Sequence, residues 1–285
     1  MKIPSKDNHQ GLFHALIIIL PYLFITGILQ ITGSYLIGYD YMSQPRVPKT
    51  ELQSLVIQAC TTIGSIITVV LMLENKSIKS FIAVGFQNIA LKKDLLLGLL
   101  TGFIIMLVGF LTLYFTNQIR YESFDFDAIK LLISFGTFVL VALSEELLCR
   151  GFMLNNLMKS YNKYVALVLS SAFFSLIHIG NPYISTLNLI GLFVAGLLLG
   201  ISYIYTGRLW FPIALHFSWN FFQGSIFGFN VSGINNYSLI TTHLPSSNLW
   251  NGGDFGFEGS ILSVVFQIIA IYFVARHYQQ EPSSL

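Results

Sequence analysis

An all-α, polytopic membrane bundle is the fold class that this sequence predicts, and three observations predict it. Of 285 residues, 54% are hydrophobic and only 10% charged, too few charges to build a water-soluble surface. Apolar runs long enough to cross a hydrocarbon core of roughly 30 Å recur about eight times, separated by short polar breaks. Those runs are continuous rather than alternating, and open strands would leave backbone groups unpaired in lipid, so strands are not expected. One transmembrane domain over 1–285 follows.

The first run, Phe13 to Ile37, sits behind Lys2 and Lys6 like a signal peptide. It is too long for a signal core and no small-residue cleavage site follows it, so a retained helix is expected. Further spans are expected at Leu55 to Leu73, Leu95 to Phe115, Ile129 to Leu157, Val165 to Ile179, Leu187 to Tyr205, Leu209 to Phe227 and Ile261 to Val274. Between the second and third, Phe81, Ile82, Val84 and Phe86 among lysines suit a headgroup-level segment or a solvated loop. Gly196 and Gly200 on the sixth span predict close approach of a neighbouring helix. The longest polar break, Asn230 to Gly259, reads as an outer loop that is either a lid or a connector.

Orientation follows from the positive charges. One side gathers Lys2, Lys6, Lys76, Lys79, Lys92, Lys93, Lys159, Lys163, Arg208 and Arg276, the other Arg46, Lys49, Arg120 and Lys130; ten against four puts both termini in the cytoplasm, and a bacterial cell membrane is the expected location. The net charge of +2, with no basic run, excludes a nucleic-acid partner. Cys60 and Cys149 both lie in apolar stretches and are expected to pack as small apolar groups.

Ionisable groups at membrane depth cost about 3 kcal/mol each on insertion scales, so each needs an explanation. On the fourth span Glu146 and Arg150 are four residues apart and meet on one helix face. Glu145 is turned about 100° away with no in-helix cation, a setting suited to a general base. The plainer alternative puts all three at the interface, with Arg150 snorkelling. On the fifth span Phe174 and His178 share a face, and on the seventh His216 and Asn220 do. Packing histidines and interhelical polar glue are the competing readings. Depth favours coincidence: Glu145 lies about 15 residues before, and His178 about 15 residues after, the turn at Ser160 to Lys163, roughly 22 Å along each arm. His216 joins that level if the fourth span projects about 10 Å beyond the bilayer. The resulting site is expected on the cytoplasmic half, fed with water from that side.

In order, Glu145-Glu146-x-x-x-Arg150, Phe174-x-x-x-His178 and His216-x-x-x-Asn220 resemble the three signatures of the CAAX-protease and bacteriocin-processing (CPBP, or Abi) family, which includes the type II CAAX prenyl endopeptidases. The likeness is close over Phe126 to Asn220 and looser at Gly252-Gly253 and Phe255-Gly256, giving a catalytic core of about 126–275. Gly151 resembles the bacterial branch, whereas Cys149 stands where an aromatic residue is common. The resemblance implies an intramembrane endopeptidase acting on a membrane-associated peptide or protein. It implies that Glu145, helped by His178, activates a water, that His216 and Asn220 bind the oxyanion, and that Glu146, Arg150 and Phe174 support them. Metal-free catalysis is the favoured scheme; zinc on Glu145, His178 and His216 is the alternative. A non-catalytic immunity or scaffold protein and a proton-coupled transporter are the competing functions, the last disfavoured by the lack of internal repeats.

Overall fold

A computed structural model of the chain describes residues 9–39 and 49–281. Lys2, Lys6 and Arg46, which enter the charge count, lie outside the described residues. Several helices begin at side-chain caps. The first run forms α1 (His9–Ile17) and α2 (Ile19–Leu36). Thr50 opens α3 (Glu51–Met72) with a capping box to Gln53. A short α4 (Ile78–Ala83) leads to α5 (Leu91–Phe115). Asp127 accepts the Ile129 and Lys130 amides to start α6 (Ala128–Glu146). From there a π-helical segment, Leu147–Leu154, runs into α7 (Asn155–Ser160). Asn162 caps α8 (Lys163–Leu176), and Ser185 caps α9 (Thr186–Ile201), which α10 (Tyr203–Thr206) extends. Next come α11 (Trp210–Asn220), a second π-helical segment, Phe221–Ile226, and α12 (Ile261–Tyr278).

Among the described residues six helical stretches are long and apolar enough to cross a membrane: Gln10–Leu36, Glu51–Met72, Leu91–Phe115, Ala128–Ser160, Thr186–Thr206 and Ile261–Tyr278. The chain is an integral, multi-pass, all-α membrane protein. The expected fifth and seventh spans fall on shorter helices. α8 ends at Leu176, so His178 lies on the turn beyond it. α11 has almost every residue buried. It is the hub of the bundle because α5 offers it glycines: a Cβ at Gly98 would stand 2.6 Å from the Phe211 carbonyl, and one at Gly102 2.7 Å from Ser218 Cβ. Gly196 serves α9 in the same way, its hypothetical Cβ falling 2.8 Å from Ser171 Cα on α8. Leu20, Phe24 and Ile31 on α2, and Ile268, Tyr272 and Phe273 on α12, face outward, as lipid rather than water requires.

The 33 residues of Ala128–Ser160 would span about 50 Å, more than a core of about 30 Å, so this rod must tilt or project beyond the bilayer. At the end carrying Ser160 and Lys163, the chain is tied together by ions. Arg208, buried between α10 and α11, donates from Nε to Asp94 Oδ2 at 2.7 Å and from Nη2 to Glu281 Oε2 at 2.7 Å. Tyr278 adds a hydroxyl to Asp94 Oδ1 at 2.9 Å.

Strands do occur, contrary to the sequence expectation, but outside the spans. β1 (Arg120–Phe124) pairs antiparallel with β2 (Ile240–His243), with a bulge between Tyr121 and Ser123. The restriction against strands holds only where lipid surrounds the backbone. These loops escape it, and the pairing fastens the 116–127 connection to the long 227–260 loop.

Candidate active site

Glu145 and Glu146 are the last two residues of α6, at the point where the helix changes to π spacing. Their adjacency sends them to different surroundings. Glu146 is fully buried, and its Oε1 accepts both Arg150 Nη1 at 2.7 Å and His216 Nδ1 at 2.8 Å. Arg150, also fully buried, donates from Nη2 to the Gly196 carbonyl at 3.1 Å and lies over the Phe174 ring at 4.5 Å. Gly196 therefore both admits α8 and supplies an acceptor for the guanidinium.

Glu145 points instead into a cavity of about 410 Å³ that His178, His216, Asn220 and Phe174 also line. Its side chain is 24% exposed. Oε2 is closed off from solvent, without a hydrogen-bond partner among the described residues, and faces His178 Nε2 at 3.8 Å and His216 Nε2 at 3.9 Å. Oε1 is thus the oxygen able to meet a molecule in the cavity.

The far nitrogens of both imidazoles are held. His178 Nδ1 is 2.7 Å from the Phe174 carbonyl, which can only accept, so Nδ1 carries a proton and Nε2 presents its lone pair when the ring is neutral. His216 Nδ1 faces the Glu146 carboxylate, with the same consequence. Phe174 packs between them, its centroid 4.9 Å from the His178 ring and 6.0 Å from that of His216. Asn220, one turn beyond His216, is buried and makes no side-chain hydrogen bond among the described residues, so its amide is available to whatever enters.

All seven residues singled out in the sequence come together here. One expectation does not hold: the site is not reached from the end bearing Ser160 and Lys163. On that side Leu147, Leu148, Phe152, Leu154 and Leu157 are buried, with Ile18 and Val84 packed beneath the π-helical segment. The cavity reaches the surface at the opposite end, past exposed Lys49 and Ile234, between the start of α3 and the 227–260 loop. Counting residues from a turn fixes height along a helix but cannot reveal that another helix plugs one end.

Sequence reasoning also missed Glu258 and Ser232, which line the cavity from the long loop. The available signal was a carboxylate inside Phe255-Gly256-Phe257-Glu258-Gly259, an apolar stretch directly before the last span. Gln58, donating to Ser144 Oγ at 3.0 Å, and Gln30, donating to Thr61 Oγ1 at 2.8 Å, form another polar wall that their isolated positions in α3 and α2 did not suggest.

Residues 127–222 match the family described as type II CAAX prenyl endopeptidase Rce1-like. No curated protein matches the chain. The matched segment begins at the residue that caps α6 and ends two residues beyond Asn220, taking in all three motifs.

Proposed function

We propose, from a chain whose residues 127–222 match the type II CAAX prenyl endopeptidase Rce1-like family, that this protein is an intramembrane endopeptidase using glutamate-activated water. The observation that carries the reading is the convergence of both imidazole Nε2 atoms on Glu145, a carboxylate facing a cavity without a cation paired to it in its own helix. Ionisable groups are assembled this way at membrane depth only at high cost, which function explains better than packing.

In this mechanism a water on the cavity side of Glu145 gives its proton to the carboxylate as its oxygen attacks the scissile carbonyl carbon. His178, its Nδ1 fixed by the Phe174 carbonyl, orients the water and the carboxylate. The carbonyl oxygen becomes an oxyanion, which Asn220 and His216 stabilise. His216 donates from Nε2 as the imidazolium, protonated before the water attacks, and Glu146 on Nδ1 offsets that positive charge. A fixed donor of this kind contributes about 2.7 to 4 kcal/mol to the transition state. When the C–N bond breaks, the proton held by Glu145 passes to the leaving amine.

Two histidines and a carboxylate are also the donor types of a catalytic zinc site. Among the described residues, however, no three His, Cys, Asp or Glu side chains are grouped so as to hold a metal.

The test uses the full chain in proteoliposomes with internally quenched, membrane-anchored peptides. Glu145→Gln should insert and purify normally yet lose cleavage by about 10²- to 10⁴-fold, the worth of a general base. Cleavage by wild type should survive prolonged chelation. Full activity of the glutamine variant sinks the glutamate reading, and loss on chelation with recovery on added zinc replaces it with a metalloprotease.

A further inference from the structure

One wall of the cavity is built from the loop before α12, and that loop is firmly held. Phe255 and Phe257 are buried as anchors. Gly233 donates to the Phe255 carbonyl, Asn230 Nδ2 to the Asp254 carbonyl and Gln223 Nε2 to the Asn230 carbonyl. At Gly256, where φ is +109°, a Cβ would fall 2.0 Å from the Asn230 carbonyl oxygen, so only glycine lets the two backbones cross there. This crossing delivers Glu258 to the cavity wall.

Glu258 is 7% exposed. Its Oε1 accepts the Ser232 amide at 2.5 Å and the Ser232 hydroxyl at 2.9 Å. Oε2 accepts no hydrogen bond, and no cation pairs with the carboxylate, among the described residues. Glu145, His178, His216 and Lys49 are the other titratable groups in the lining. Neither imidazole is within ion-pair distance of Glu258 among the described residues, although their fields reach it. Lys49 lies over the Tyr39 ring at 5.3 Å. Burial raises the Glu258 carboxyl above its ordinary value, and the Ser232 bonds oppose that. A buried carboxylate held rigidly by two donors and left without a counter-charge is costly unless something that enters supplies one.

Resting on the protease reading above, we infer that Glu258, braced by Ser232, is the specificity anchor for a cationic group of the substrate, an ammonium or guanidinium carried close to the scissile bond. The cavity then holds the peptide between two carboxylates: Glu145 faces the reacting carbonyl and Glu258 the basic side chain. A ligand cation gains a charge-assisted hydrogen bond there in low dielectric, about 1.5 to 3 kcal/mol or roughly 10- to 100-fold in specificity.

Quenched peptides differing only in lysine or norleucine, scanned on both sides of the cleaved bond, test this with the full chain in proteoliposomes. Wild type should prefer one lysine register by about 10- to 100-fold in kcat/KM. Glu258→Gln, isosteric and still an acceptor for Ser232, should still cleave but bring the lysine-to-norleucine ratio of kcat/KM toward one, and Glu258→Lys should shift the preference to a glutamate peptide. A second arm needs no turnover: hexylguanidinium should raise the melting temperature of Glu145→Gln but not of Glu145→Gln with Glu258→Gln. Charge-blind cleavage together with no guanidinium effect overturns the anchor. Loss of all cleavage by a folded Glu258→Gln also overturns it, making Glu258 a catalytic acid. Guanidinium stabilisation in a protein that cleaves no peptide would leave the anchor standing and remove the protease reading.

Discussion

Replacing Arg150 with alanine tests the buried core of the site most severely. The guanidinium neutralises Glu146 at 2.7 Å, donates to the Gly196 carbonyl and stacks on Phe174, with almost none of its surface exposed. Removing one partner of a buried pair costs about 3 to 5 kcal/mol, because the remaining charge is stranded. His216 stays on the same Glu146 oxygen and can share a proton with it, which favours the lower end. With roughly 2 to 4 °C lost per kcal/mol in a chain of this size, melting should fall by about 6 to 20 °C. Scanning fluorimetry of the purified full chain in detergent measures this, with monodispersity followed by size exclusion. Glu146→Gln combined with Arg150→Gln should recover much of the yield but not the activity, since His216 then lacks its carboxylate. An Arg150→Ala protein melting within about 2 °C of wild type, under 1 kcal/mol on the same conversion, would refute the argument.

Cys149→Ala should retain most of its activity in the peptide assay: the side chain is fully buried in the core, and its link to Ser170 runs through the Cys149 backbone carbonyl. Loss of all activity would point to a thiol nucleophile. For sidedness, cysteine labelling at position 159 should report the cytoplasm and at 235 and 254 the far side; position 208, otherwise a natural choice, is buried with Asp94 and would label poorly in any orientation. Labelling in the reverse sense would invert the topology. The last prediction concerns pH. Burial works against the charged form of Glu281, but its bonds to Arg208 and Lys93 prevail and hold the carboxyl below its ordinary 4.5. A depressed carboxyl contributes stability above its unfolded value and loses it as pH falls through the folded one, so an acid-active protease should release the C-terminal end of the chain increasingly as the digestion pH is lowered through that folded value, relative to cleavage elsewhere in the chain. Equal release, or the same acid sensitivity in Glu281→Gln, would show the contact to be idle.

Local periodicity made the three motifs legible. Glu146 with Arg150 and His216 with Asn220 are each one helical turn apart, a relation the helix fixes, whereas His178 sits on the turn past α8 and keeps its place beside Phe174 through the Nδ1 contact with the Phe174 carbonyl. The contact between Glu146 and His216 was not legible, because 70 residues separate them and only the packing of α11 against α6 brings them together. Expectation therefore gave Glu146 to Arg150 alone, whereas one oxygen serves both partners. The cavity's exit was misjudged for a related reason: the plug of Ile18 and Val84 comes from remote segments without any polar marker. Glu258 escaped notice because its place depends on a loop crossing set by Gly256 and Asn230, for which no helical period exists.

Both rods that carry reactive side chains switch to π spacing directly downstream of them, at Leu147–Leu154 and at Phe221–Ile226, where Asn155 reaches back to Arg150 and Phe227 to Phe222. A five-residue hydrogen-bonded loop encloses one residue more than an α-turn. These are therefore the positions at which a homologous chain can gain or lose a single residue, re-phasing everything downstream while leaving Glu145, Glu146, His216 and Asn220 on their original faces. Length differences between relatives should gather at these two segments, and an alignment forced to run without gaps through them would pair residues that occupy different walls of the bundle.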